Sequence, residues 1–291
     1  MSEITEIITH PGGAHKDDVL ACCLLAYQHR APISRREPEK ADLEDPHTAV
    51  VDVGGIHDPE QQNFDHHQFP RDHPPVCALT LVLQSLDAYD DACLLCDWLP
   101  TTEYLDTRGP NDTARWLGIE RDVLSKLNSP IDLALLSRFE KSAKLIPGEP
   151  LWEIMSFIGE DLLGYLRIMS MRLEFLAERV ELWEIDAPHG TFEALYLPRG
   201  EQSDGDSSMG LGRYLQKIGK EDHVRALIYP DRRGDGYGLS RFNDHPSLDL
   251  SLLEDEADVH FAHARGFIAK TSATEEQRLR QLLASAQIPH A

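Results

Sequence analysis

Ile4-Thr5-Glu6-Ile7-Ile8-Thr9-His10-Pro11-Gly12-Gly13-Ala14-His15-Lys16-Asp17-Asp18 is the stretch from which the fold is read. Residues 4–9 form a short β-branched run that stops at His10, and Pro11, Gly12 and Gly13 then turn the chain. Residues 19–27 are apolar and rich in helix formers. The spacing therefore predicts a strand, a Gly-rich loop and a helix whose first turn holds Asp17 and Asp18, where the helix dipole favours carboxylates. Ala49-Val50-Val51-Asp52-Val53 is a second buried strand closed by Gly54 and Gly55, with Asp52 interrupting its apolar run. A third short extended segment leads to His66 and His67, followed by a loop with Pro70, Pro74 and Pro75. Helices are expected at 76–86 and 91–106. Strand and helix alternate, which makes an α/β domain with a parallel sheet flanked by helices the economical reading.

Further along, residues 111–146 read as helices joined by short turns. Residues 150–180 form a long helical pattern with an apolar stripe at Trp152, Met155, Ile158, Leu162, Leu166, Met169, Leu173 and Leu176. Strands are expected at 180–185, 192–197, 224–229, 237–242 and near His260, a polar mobile loop at 200–208, and a terminal helix at 274–285. The chain of 291 residues is long for one core. We read it as a catalytic domain at 1–145, a connecting helix at 146–185 and a smaller α+β domain at 186–291.

Composition narrows the function. Hydrophobic residues are 41% and charged residues 27%, as in a folded globular protein. No apolar run approaches the roughly 20 residues that span a bilayer, and residues 1–6 are acidic where a secretory leader would be basic. A cytoplasmic protein without a membrane partner is expected. Cys22, Cys23, Cys77, Cys93 and Cys96 fit reduced, buried thiols, and Cys93-x-x-Cys96 lacks the second pair a zinc site needs. The net charge of −22, from 28 basic and 50 acidic residues, argues against a surface that coats long nucleic acid. A polyanionic substrate would have to be met locally, for which bound divalent metals serve.

The histidines are concentrated where such metals could sit. His10, His15, His57, His66, His67 and His73 all lie in the first quarter, among Asp17, Asp18, Asp52, Asp58, Asp65 and Asp72. Imidazole with carboxylate suits Mn, Fe or Zn, and the carboxylate excess leaves room for Mg. Ligands collect at the carboxyl ends of strands in an open parallel sheet. His10 and Asp52 end strands there, His15 and Asp17 turn back over the same edge, and His66 and His67 follow the third segment. Any one of these alone would ordinarily be a hydrogen-bonded turn or surface residue. Together they suffice for two metals sharing a carboxylate, with Asp52 the natural bridge.

The segments Thr9-His10-Pro11-Gly12-Gly13-Ala14-His15-Lys16-Asp17-Asp18, Val51-Asp52-Val53-Gly54-Gly55 and Phe64-Asp65-His66-His67-Gln68 resemble the MYG family of DHH-like phosphoesterases. Phe261-Ala262-His263-Ala264-Arg265-Gly266-Phe267-Ile268 resembles that family's His-x-x-Gly-Phe-Ile segment. The resemblance implies a DHH-like catalytic domain, a second domain, a divalent-metal site and exonuclease action on RNA from the 3′ end. Carried over by position, it implies His10, His15, Asp17, Asp52, His66 and Asp106 as metal ligands. His67 would face the substrate phosphate and Asp65 would orient a histidine, the two forming the catalytic pair. Pro11, Ala14, Lys16 and Asp18 depart from the family's usual neighbours, as does Thr107-Arg108-Gly109 after Asp106, which leaves substrate identity open.

The expected chemistry is two-metal hydrolysis of a phosphodiester, with Mn²⁺ the first choice and Mg²⁺ the second. The partner would be a short single-stranded nucleic acid or nucleotide, with Arg241, His263, Arg265 and Gly266 contacting the substrate, since Arg suits phosphate. Homo-oligomerisation is left open. Two other readings compete. Ala14-His15-Lys16-Asp17-Asp18 also resembles the opening of LmbE-type zinc N-deacetylases, which would leave His10, Asp52 and residues 64–68 unexplained. The third reading is a catalytically silent metal- or nucleotide-binding module.

Overall fold

The computed structural model describes residues 3–127, 129–200 and 206–289. The chain divides into two compact units, Met1–Arg167 and Ile168–Ala291. In the first, chain order is β1 (Glu6–Thr9), α1 (Lys16–His29), β2 (Ile33–Arg35), α2 (Lys40–Leu43), β3 (Thr48–Val51), β4 (His57–Asp58), β5 (Asn63–Phe64), α3 (Ala78–Ser85), α4 (Tyr89–Leu95), α5 (Leu99–Leu117), α6 (Arg121–Lys126), α7 (Pro130–Glu140), β6 (Lys144–Leu145) and α8 (Pro150–Ala177). The division between the units falls within α8.

The first sheet has the order β4-β5-β3-β1-β2-β6. Its four central strands are parallel, so β5, β3 and β1 deliver their carboxyl ends to one edge. Ile7, Ile8, Ile33, Ala49, Val50 and Val51 are completely buried, as expected where helices cover both faces. The outermost strands, β4 and β6, run antiparallel, so the sheet is mixed and the expected parallel arrangement is its centre. These edge strands have two residues each, too few to show a period.

The helix expected at 91–106 is two elements. α4 stops at Leu95, and α5 starts at Leu99 and runs past Asp106 to Leu117, broken at Gly109, whose φ of 74° precedes Pro110. Four cysteines are buried, but Cys93 is exposed on α4, against the expectation that all pack inside; none of the five is in a disulfide.

α8 opens on Pro150, which suits a first helical position, and the apolar stripe on it is buried or half-buried throughout. Its Gly159 lies against α1: a Cβ there would sit 2.2 Å from the Cys23 carbonyl oxygen. Backbone cannot yield as a side-chain end can. Gly159→Ala is expected to lower the unfolding free energy by about 3 kcal/mol through overpacking, read as a lower urea midpoint at unchanged slope.

The second unit holds β7 (Glu181–Ile185), β8 (Phe192–Tyr196), α9 (Leu211–Lys217), β9 (Val224–Pro230), β10 (Tyr237–Arg241), β11 (Val259–Ala262), β12 (Ile268–Thr271) and α10 (Glu276–Ser285). Its sheet order is β11-β12-β10-β9-β8-β7, antiparallel except between β8 and β9. Trp183, Phe192, Ile228 and Leu239 pack with Leu279, Leu282 and Leu283 of α10 in one core. Of the polar loop expected at 200–208, residues 201–205 lie outside the described residues. No helix among the described residues is long and apolar enough to cross a membrane.

Candidate metal centre

His10 follows β1, and its Nδ1 lies 3.0 Å from the Pro11 carbonyl oxygen. An N–H donated there leaves Nε2 facing Asp18 Oδ2 at 3.1 Å and Asp52 Oδ2 at 3.5 Å. Asp52 follows β3 in the left-handed region with φ of 58°, a conformation that Asp and Asn tolerate better than most residues. His66, just past β5, points Nε2 between Asp52 Oδ1 at 3.1 Å and Asp106 Oδ2 at 3.0 Å. His15 Nδ1 is 3.7 Å from Asp106 Oδ1. The potential ligand atoms fall within 4.8 Å of one another in three groups: His10, His15 and Asp52; Asp52, His66 and His67; and His15, Asp17 and Asp106. The structure thus brings His10, His15, Asp17, Asp52, His66 and Asp106 together on the edge formed by β1, β3 and β5.

Electrostatics show what the cluster lacks. Asp17 is completely buried, and neither of its carboxylate oxygens has a hydrogen-bond partner. Asp52 Oδ1 and Asp106 Oδ2 lack well-aligned partners too. Burial, and then the charges of Asp52, Asp106 and Asp18, push the Asp17 carboxyl well above its ordinary range. Burial also raises Asp52, with His66 opposing and Asp106 reinforcing the rise. The Asp18 carboxylate lifts His10 to about 9. Burial would depress His66, but the Asp106 and Asp52 carboxylates outweigh it and push that group up to about 10. Excess negative charge thus favours the protonated form of the half-buried His10 and the buried His66. A divalent cation would perform the same neutralisation with more charge and with bonds to the unpartnered oxygens, so the donor set fits such an ion.

His67 is placed differently. Its Nδ1 lies 2.7 Å from Asp65 Oδ1, and that carboxylate also accepts from the His67 and Gly55 backbone N–H groups. Burial opposes ionisation of Asp65, but these hydrogen bonds and His67 outweigh it and hold the carboxyl below its ordinary range. An ionised Asp65 makes Nδ1 the donor, which leaves Nε2 for an incoming group. The exposed His67 ring lines a cleft of about 220 Å³ with His66, Asp106 and Arg108. Arg108 donates to the carbonyls of Arg71 and His73, tying α5 to the Pro-rich loop.

Two supporting residues were not identified from sequence. Asp18 is completely buried; it accepts from the His15 and Val19 N–H groups and turns its other oxygen toward His10. Its position in the first turn of a helix was the available signal. Arg35, on β2, is buried and donates to the Gly12 and Phe139 carbonyls, with its guanidinium 4.6 Å from the Phe139 ring centre. It holds the Gly-rich loop that carries His10 and His15. Arg35→Ala would leave those carbonyls without their charged donor, and is expected to cost about 3 kcal/mol and to weaken Mn²⁺ binding. Arg35→Lys would restore little, because one ammonium cannot span both carbonyls. Chemical denaturation and metal titration of the two variants check this.

In the second unit, Arg241 donates to the Leu248 carbonyl and to Asp244. The His263 ring packs 4.1 Å from that of Phe267. Gly266 has φ of 66°, and a Cβ there would meet Asp249 Oδ1 at 2.0 Å. Arg241 and Arg265 line one open cavity of about 740 Å³.

The geometry now has a sequence counterpart. Residues 6–73 match the family model MYG1_exonuc, described as an uncharacterised protein family (UPF0160). The match spans β1, β3, β5 and the whole Gly-rich loop, and so bears out the resemblance drawn from those motifs. The chain is 44% identical over 64 residues to "MYG1 exonuclease" of Rattus norvegicus and of Homo sapiens, 21% of this chain and 16% of each relative. It is 41% identical over 70 residues to "MYG1 protein" of Dictyostelium discoideum, covering 23% of this chain and 21% of that one. The chain thus matches less than a quarter of the length of these curated relatives. Among solved structures, a pGpG-specific phosphodiesterase from Vibrio cholerae aligns over 98% of both chains, with a TM-score of 0.33 and 12% identity. That likeness is too slight to carry an argument.

Proposed function

We propose that this chain is a divalent-metal-dependent phosphodiester hydrolase acting on dinucleotides or the ends of short nucleic-acid strands. One observation carries the reading: Asp17 is fully buried beside Asp52 and Asp106, with both of its oxygens unpartnered. A buried, unsatisfied carboxylate among other carboxylates costs several kcal/mol unless a cation meets it. The family match, with relatives named as exonucleases, supports the same chemistry.

His10, His15, Asp17, Asp52, His66 and Asp106 would hold two ions, Mn²⁺ before Mg²⁺ given the mixed imidazole and carboxylate donors. Such ions would supply positive charge to a bound phosphate and lower the pKa of a water toward neutrality. Asp52 would be shared between them. Asp18 fixes the His10 ring, and Asp65 fixes the His67 ring with Nδ1–H toward its carboxylate, so that the imidazolium form, with a second proton on Nε2, would donate to the phosphate or protonate the leaving oxygen. Within the second unit, Arg241, His263, Arg265 and Gly266 would be a phosphate-contacting set of their own, since Arg suits phosphate. The net charge of −22 favours short substrates, because few phosphates can be neutralised. The deacetylase reading leaves Asp52 and His66 without a role, although both stand beside the Asp106 carboxylate that faces His15.

Hydrolysis of a dinucleotide and of a 20-nucleotide RNA, before and after chelation and Mn²⁺ restoration, tests the proposal. Chelator-sensitive cleavage, at least as efficient on the dinucleotide, is expected. Amide hydrolysis with one tight zinc, or cleavage indifferent to chelation, would refute it.

A further inference from the structure

A second cleft, of about 450 Å³, borders the cluster and shares His15, Asp17 and Asp106 with it. Its remaining wall includes Thr101 and Thr102, but its large side chains are mostly apolar. Trp98 and Leu105 come from α5 and its start, and Leu133 and Leu136 from α7. Trp98, Leu105 and Leu133 are all exposed, Leu133 at 54%. Large apolar side chains exposed beside buried carboxylates need a ligand with apolar faces to gain anything. At the rim, Lys16 Nζ and Asp132 Oδ2 form an ion pair at 2.9 Å. Both partners are solvent-accessible, so the pair contributes little and opens readily.

We propose that this cleft receives the nucleobase next to the phosphate held at the metal centre, with Trp98 as its stacking surface. The inference rests on the phosphodiesterase reading and names the part of the substrate that the metal ligands do not recognise. A nucleobase has what the walls ask for: flat apolar faces for Trp98 and the leucines, and a polar edge for Asp132 and Lys16. An acyl chain would leave that edge unmet, and a second phosphate would meet the apolar wall and the carboxylates of Asp17, Asp106 and Asp132. The volume lies within the range of small-ligand pockets. Lys16, one of the positions where the chain departs from the family's usual residues, thereby acquires a place at the base edge.

The test compares a dinucleotide with the same dinucleotide lacking its bases, on the parent and on Trp98→Ala, Trp98→Phe and Leu133→Glu. In parallel, binding of adenosine monophosphate and of ribose 5-phosphate is measured by calorimetry. Trp98→Ala should raise KM for the base-bearing substrate about tenfold, the worth of one base-aromatic stack, with kcat and abasic cleavage unchanged. Trp98→Phe should restore most of the loss. Leu133→Glu, at an exposed position that folding tolerates, should reproduce it. Adenosine monophosphate should bind the parent about tenfold tighter than ribose 5-phosphate, and this preference should disappear in both disruptive variants. Equal binding of the two ligands by the parent, or variants that keep the parent's preference, would overturn the base pocket even if hydrolysis stands. A parent that hydrolyses neither substrate would sink the phosphodiesterase reading, and the two calorimetric affinities would still decide the pocket.

Discussion

Asp52→Asn should lower kcat/KM on a dinucleotide by about 10³-fold or more, while the metal-free protein becomes no less stable. The first half follows from charge. Asp52 has Oδ1 3.1 Å from His66 and Oδ2 3.5 Å from His10, so one carboxylate addresses both sides of the cluster. Removing its charge takes away several kcal/mol of cation holding, and each 1.36 kcal/mol is a factor of ten in rate. The second half follows from the same crowding. Asp52 raises the Asp17 carboxyl by repulsion, and burial raises Asp52 itself, so a neutral amide relieves both without disturbing the backbone, which offsets the weakened attraction to His66 and His10. Asn also suits the left-handed φ of 58°. Thermal unfolding in chelator should give a Tm equal to or above the parent's, whereas with Mn²⁺ present the parent should gain and the variant should not. A variant that turned over at the parent rate would remove Asp52 from the site.

His67→Ala separates holding a metal from using it. Because Nδ1 is committed to Asp65 and the ring is 63% exposed, its removal should leave metal affinity within a few-fold of the parent. The rate should still fall by about 10²–10⁴-fold, the range for loss of a positioned proton donor. His66→Ala should do the reverse first, weakening the metal, since Nε2 sits between Asp52 and Asp106. Calorimetric Mn²⁺ titration beside steady-state kinetics distinguishes the two. A His67 variant that lost metal would exchange the roles assigned to these neighbours.

The contrast between those histidines marks what a sequence can and cannot disclose. Residues 4–18 declared a strand, a turn and a helix because β-branched residues, Gly and Pro, and helix formers follow one another without overlap. Asp52 was visible as a charge inside an apolar run. Asp106 was not visible this way; it lies on a helix among polar neighbours, and only the family resemblance pointed to it. Arg35 was hidden for another reason. It ends a three-residue strand in a polar segment, and its partners lie 23 and 104 residues away, so its role exists only in the tertiary fold. The pairing of Asp18 with His10 depends on which way a helix's first turn faces, which periodicity alone does not give for two adjacent carboxylates. Likewise, the antiparallel edges of the first sheet come from two-residue strands held by their neighbours.

The central claim is that excess buried carboxylate at this sheet edge exists to hold divalent cations. Equilibrium titration of the metal-free protein with Mn²⁺, for the parent and for Asp17→Asn, tests it most directly, because Asp17 has no hydrogen bond to lose. The parent should take up Mn²⁺ tightly, with two ions per chain, and Asp17→Asn should bind it at least a hundredfold more weakly while unfolding at the same or a higher temperature in chelator. Mn²⁺ binding that is absent in the parent, or unchanged by Asp17→Asn, would contradict the account.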